Sequence, residues 1–147
     1  MAAGPAVSAG SSDNGDSGGS SVSKNVDANY AAGRKATEAK DWARAIPLFQ
    51  KAVATDPKNA DAYNLLGYSQ RHVGNYEAAL KSYNQALAIN PKHKGAHEYI
   101  GEAYLKMGNV SKAEEHLKAL DDICFFGCEE FTELKEKIAD FRAGKKG

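Results

Sequence analysis

Ala62-Tyr63-Asn64-Leu65-Leu66-Gly67-Tyr68, then Gly74-Asn75-Tyr76, then Ala79, Leu80, Tyr83, Ala86 and Leu87 ahead of Asn90-Pro91 read as two helices folded back on each other. Gly74-Asn75 is a turn dipeptide. After it, the apolar residues recur at i, i+3/i+4, which is one face of a helix. Asn90-Pro91 stops that helix, because proline disfavours the α conformation in the residue before it. Gly67 and Ala79 stand where two backbones must cross closely. A glycine inside a helix costs about 1 kcal/mol, so its presence there implies a packing requirement.

The same unit recurs. Gly33, Gly67 and Gly101 are spaced 34 apart, as are Ala45, Ala79 and Ala113. Trp42, Tyr76 and Val110 keep that interval, and so do Phe49, Tyr83 and Leu117. Ala52 and Ala86, and Pro57 and Pro91, complete the register. A fixed period of this length means stacked supersecondary units. The expected fold is all-α: an α-solenoid of three helix hairpins, at about 26–59, 60–93 and 94–122.

The pattern Tyr63, Leu66-Gly67, Gly74, Tyr76, Ala79, Tyr83, Ala86, Pro91 resembles the tetratricopeptide repeat (TPR) family. Gly33, Trp42, Ala45, Phe49, Ala52 and Pro57 carry it in the first copy. His97, Ile100-Gly101, Tyr104, Gly108, Ala113 and Leu117 carry it in the third. There are departures. The third copy has Phe125 where the terminal proline would fall, which weakens the boundary after it. Asn29 and His97 replace a usual large apolar residue, so those helices are expected to be less tightly seated.

A stack of hairpins leaves its last apolar face bare and needs a cap. Phe131, Leu134, Ile138 and Phe141 share one helical face within 129–143, with Glu129, Glu130 and Glu133 near the positive helix N-terminus and Gly144 as a stop. A capping helix is the expectation; a helix that detaches to bind a partner is the alternative. Residues 144–147 read as a flexible end.

Between the third copy and the cap lies Ile123-Cys124-Phe125-Phe126-Gly127-Cys128. On a helix, cysteines four apart have Cα atoms about 6 Å apart, within disulfide reach. In an exported protein Cys124 and Cys128 are expected to pair and pin the cap. In a reducing cytoplasm they are two thiols, and a metal or redox role is the third reading. The C-x-x-x-C spacing is not the redox C-x-x-C pattern. The segment is also similar to the C-terminal end of some bacterial members of the family.

Residues 1–24 contain seven Ser and five Gly without an aromatic residue, Leu or Ile. They cannot bury enough apolar surface to offset their ordering entropy and read as a disordered tail. Met1-Ala2-Ala3-Gly4-Pro5-Ala6 lacks the basic start and apolar stretch of a signal peptide, yet such small residues also surround a signal-peptidase cut. Export to a periplasm and a cytoplasmic location both stay open.

Composition narrows the function class. The 19 Lys+Arg balance 19 Asp+Glu, which argues against a nucleic-acid binder. No run reaches the roughly 18–20 apolar residues of a membrane span, so membrane insertion is not expected. His93 and His97 are four apart, but Lys92 and Lys94 flank His93 with repelling charge, and no metal is expected. His72 and His116 stand alone. No nucleophile–base arrangement, phosphate loop or H-E-x-x-H is present, and Asp121-Asp122 reads as a solvated helix end. The chain is not expected to be an enzyme or to need a cofactor.

What remains is the concave groove that the first helices of stacked repeats form. The period places Asp27, Tyr30, Arg34 and Glu38 there from the first copy. The second gives Asp61, Asn64, Tyr68, Arg71 and His72; the third gives Glu98, Tyr99, Glu102 and Lys106. The candidate binding set is Tyr30, Arg34, Asn64, Tyr68, Arg71, Glu98, Tyr99 and Glu102, since Tyr and Arg most often anchor interfaces and Asn64 suits a peptide backbone. Arg34 and Arg71 are expected towards one end, Glu98 and Glu102 towards the other.

Family members that grip chaperone C-terminal carboxylates use a Lys/Asn/Arg clamp. The corresponding places here hold Tyr30 and Arg34, Leu65, then Gly95 and Tyr99, so a chaperone-tail receptor is not implied. A protein-interaction module is expected, monomeric or weakly self-associating, taking a partner peptide at about −8 kcal/mol, micromolar. A metal- or redox-linked accessory protein and a self-assembling scaffold are the alternatives.

Overall fold

The computed structural model describes the backbone of residues 18–145 and side chains from Ala28 onward. Among the described residues there are seven helices and no strand: α1 (Gly18–Glu38), α2 (Trp42–Thr55), α3 (Ala60–His72), α4 (Tyr76–Ile89), α5 (Lys94–Lys106), α6 (Val110–Ile123) and α7 (Glu129–Arg142). No helix is long and apolar enough to cross a membrane. Residues 1–17 of the expected tail lie outside the described residues. Residues 18–24, also read as tail, form the first turns of α1. Extending an established helix costs far less than nucleating one.

Each hairpin is built the same way. Asp41, Asn59, Asn75 and Asn109 precede α2, α3, α4 and α6, and their side chains accept from Arg44, Ala62, Ala78 and Lys112 N–H at 3.0–3.2 Å. These N-caps satisfy donors that the first helical turn leaves open. His93 does the same for α5, its Nδ1 accepting from Ala96 N–H at 3.1 Å, while Nε2 meets Asp61 Oδ1 at 2.6 Å.

The repeated small residues explain the hairpin crossing. A Cβ on Gly67 would stand 2.7 Å from the Tyr83 ring and 3.0 Å from the Ala79 carbonyl oxygen, and one on Gly33 would stand 2.6 Å from Phe49. Ala45, Ala52, Ala79, Ala86 and Ala113 are fully buried. In the third repeat the ring is replaced by Leu134 of α7, which would stand 2.6 Å from a Cβ on Gly101. The cap therefore fills the site that Phe49 of α2 and Tyr83 of α4 fill in the earlier repeats. Leu134 and Ile138 are buried with Leu120 and Cys124, whereas Phe141 remains 39 % exposed.

The expectation of a loose third repeat is corrected. His97 is buried; its Nε2 donates to the Pro91 carbonyl at 2.9 Å and its Nδ1 meets His116 Nδ1 at 3.0 Å. Two polar contacts hold it where apolar packing was expected. His116, isolated in the sequence, is thus half of a histidine pair. Burial and then the His97 charge lower its pKa to about 4.

Candidate binding groove

The first helices of successive repeats meet, α1 with α3 and α3 with α5. They form the tighter inner side of the solenoid, as the repeat geometry requires. The sequence-derived residues fall along this side but differ in availability. Arg34 is exposed. Tyr30 is half-buried and stands edge-on to Phe49 with centroids 6.0 Å apart, so it also belongs to the core of the first repeat. The side chain of Asp27 lies outside the described ones. Asn64 is buried, and its Oδ1 has no hydrogen-bond partner.

Further along, Tyr68 and Tyr99 lie 4.8 Å apart by ring centroid. The Arg71 guanidinium rests over both rings, at 5.5 and 5.6 Å. Each geometry lies within cation–π range. His72 stacks on Trp42 at 4.2 Å, and Tyr68 sits edge-on to that pair. Burial, then the Arg71 charge, lowers the His72 pKa.

The expected charge gradient is corrected. Arg71 and Glu102 are not at opposite ends: Arg71 Nη1 donates to Glu102 Oε2 at 2.8 Å. Arginine is long enough to reach across one repeat step, and two such charges leave water together more cheaply than either alone. Lys137 of α7 donates to the other oxygen, Glu102 Oε1, at 2.7 Å. Glu98, beside them and only 6 % exposed, has a carboxyl pushed up to about 9, by burial first and then by Glu133 and Glu102.

These side chains border a cleft of about 590 Å³ between the inner face of α3 and α5 and one flank of α7. Tyr68, Arg71, Glu98, Tyr99 and Glu102 line it as the sequence places them; Tyr30, Arg34 and Asn64 lie outside it. Reasoning from the repeats alone misses its other wall, formed by Glu129, Glu130, Glu133 and Lys137. The signal was present, because Glu129, Glu133 and Lys137 recur every four residues on a face of α7 separate from Leu134 and Ile138. Cys124 ends α6 and Cys128 precedes α7, with sulfurs 2.10 Å and Cα atoms 5.7 Å apart. Phe125 and Phe126, between them, are 83 % and 97 % exposed.

Two family models, each described as tetratricopeptide repeat, match residues 30–93 and 70–123. No curated protein sequence matches the chain. Among solved structures, the first TPR of Spaghetti (RPAP3) bound to an HSP90 peptide is similar at 20 % identity and TM-score 0.72, over 82 % of this chain and 95 % of that one. The Yersinia enterocolitica type III secretion chaperone SycD, in complex with a peptide of the translocator YopD, is similar at 19 % identity and TM-score 0.71, over 82 % and 92 %. A CopN-Scc3 complex chain is similar at 27 % identity and TM-score 0.68, over 82 % and 70 %. The 34-residue register, the hairpins it produces and these matches together show that the chain belongs to the tetratricopeptide repeat family.

Proposed function

We propose that this protein is a non-catalytic interaction module that holds a peptide or helix of a protein partner in its concave groove. The observation that carries this reading is the Tyr68–Arg71–Tyr99 wall beside an open cleft of about 590 Å³. Aromatic and arginine side chains held rigidly by their neighbours supply contact area at little entropic cost. Similar folds carry bound peptides, an HSP90 peptide in one and a YopD peptide in another. Asn64 adds an acceptor on the same inner side. Among the described residues no group of three or more His, Cys, Asp or Glu side chains is arranged to hold a metal ion, so no observation favours the alternative of a metal-linked accessory protein.

Selection of a random peptide library on the immobilised protein tests the reading. Enriched peptides should lose at least tenfold in affinity on Tyr68→Ala, with circular dichroism unchanged. Peptides whose binding ignores that substitution would place the site elsewhere, and the groove reading would be wrong. Arg71→Ala is unsuitable here, because it removes the main partner of a buried carboxylate.

A further inference from the structure

Where α6 gives way to α7, the chain turns two phenyl rings to solvent. Phe125 and Phe126 are 83 % and 97 % exposed, with ring centroids 5.0 Å apart. Among the described residues the next most open large apolar side chains, Val73 and Met107, are 51 % and 49 % exposed and stand singly at helix ends. Single exposed apolar residues are ordinary, whereas a contiguous apolar patch with a polar rim marks an interaction site.

The loop holds the rings outward. Ile123 and Cys124 before them, and Cys128 and Phe131 after them, pack with Leu120, Leu134 and Ile138. The Cys124–Cys128 disulfide closes the loop between these inward residues, and Gly127 turns it at φ +92°. Rings presented on so short a closed loop need little further ordering to serve as interface anchors.

The surrounding charge selects the occupant. Asp121 and Asp122 precede the rings, Glu129 and Glu130 follow them, and residues 119–134 hold no Lys, Arg or His. Asp122 meets Lys118 at 3.3 Å on the surface, and Glu129 and Glu130 stand on the first turn of α7. Such a rim disfavours an anionic lipid surface and a second copy of the same loop, and it suits apolar surface flanked by cations. The spacing of the rings adds a size, since side chains one turn apart on a helix are about 5–6 Å apart.

We infer that the Phe125–Phe126 tip is a second docking surface, for an amphipathic helix of a protein partner whose apolar face is bordered by Lys or Arg. The rings pack against apolar side chains one turn apart, and the bordering cations face Asp121, Glu129 and Glu130. Neither ring lines the cleft, although Glu129 and Glu130 border both. Tyr68, which lines the cleft, therefore separates the two surfaces in a test.

That test is a titration of the ¹⁵N-labelled full chain with a Leu/Lys amphipathic helical peptide. A Leu/Glu peptide of the same pattern lacks the cations, and an Ala/Lys peptide lacks the apolar face. The Leu/Lys peptide should shift the amides of residues 124–128, and the other two should bind there at least tenfold more weakly. Phe125→Ser/Phe126→Ser should weaken the Leu/Lys peptide at least tenfold while the melting temperature stays unchanged, because both rings are largely in solvent. Tyr68→Ala should leave this binding as it is, whatever it does to the groove. Equal binding of the three peptides, shifts confined to the cleft, or an affinity indifferent to the double variant overturns the inference. Sedimentation with phosphatidylglycerol vesicles, or dimerisation of the chain, that the double variant abolishes also overturns it, by giving the tip to a membrane or to a second copy.

Discussion

Arg71 and Glu102 close the step between the second and third repeats, with Nη1 of one donating to Oε2 of the other at 2.8 Å and both side chains less than a tenth exposed. Removing one partner strands the other away from water. Arg71→Met is expected to cost about 3 kcal/mol, softened only as far as Lys137 can serve Glu102 alone. Replacing both, as Arg71→Met/Glu102→Met, removes the unpaired charge and should recover most of that loss. Urea unfolding of the two singles and the double decides it; a double as unstable as the sum of the singles contradicts the coupling.

Gly67 is fixed by backbone as well as by a ring. An added Cβ meets the Ala79 carbonyl oxygen at 3.0 Å and Tyr83 at 2.7 Å, and neither helix can yield without opening the hairpin. Gly67→Ala should cost about 1–3 kcal/mol, even though alanine is the better helix former. Gly101→Ala meets only Leu134 side-chain atoms, which can turn aside, so its cost should be smaller. Thermal melts that rank the two in the reverse order would reject this account.

Glu98 and His116 tilt the pH dependence of stability in opposite senses. Glu98, raised from 4.5 to about 9, keeps its proton when folded and loses it when unfolded, so its contribution is present below pH 4.5 and lost as pH rises through about 9. His116, lowered from 6.5 to about 4, stays neutral when folded, so its contribution is present above pH 6.5 and lost as pH falls through about 4. Above pH 6.5 only the first effect operates, and the melting temperature should decline towards pH 9. In Glu98→Gln that decline should vanish. Parallel melting curves for the two proteins over this range would show that Glu98 does not hold its proton.

The hairpins were legible because their cause is local and repeated. Gly67, Ala79 and Tyr83 sit within one 34-residue unit, and the same crossing recurs at Gly33 and Phe49. The groove was legible only as a list of faces. Arg71 and Glu102 are 31 residues apart and Lys137 and Glu102 are 35 apart, so their meeting depends on the rotation between repeats and on where α7 lands. His97 illustrates the same limit. A polar residue in an apolar column gave no sign that Pro91 and His116 would complete its hydrogen bonds.

The Cys124–Cys128 pair ties the end of α6 to the start of α7. Closing so short a loop restricts the unfolded chain by about 2 kcal/mol in the entropic account. Under reducing conditions α7 should therefore loosen before the rest of the stack, and with it the Glu133–Lys137 wall of the cleft. Hydrogen exchange with and without dithiothreitol reads this directly. Faster exchange in α7 with α1–α4 unchanged is the expected outcome; uniform acceleration, or none, would mean that the pair does not anchor the cap.

Lys40 occupies the turn position that Gly74 and Gly108 hold in the next two repeats. Its φ is +58°, against +86° and +79° for the glycines. The turn hydrogen bonds match as well: Asp41 N–H reaches the Ala36 carbonyl at 2.8 Å, as Asn75 N–H reaches Gln70 and Asn109 N–H reaches Tyr104. A left-handed conformation costs a residue with a Cβ about 1–2 kcal/mol. Glycine avoids that cost but adds about 0.4–1 kcal/mol of freedom to the unfolded chain. Lys40→Gly should accordingly gain about 0.5 kcal/mol, and Gly74→Lys should lose a similar amount. Urea midpoints of the two variants test the equivalence, because a local effect of Lys40 alone would move the first without moving the second in the opposite direction.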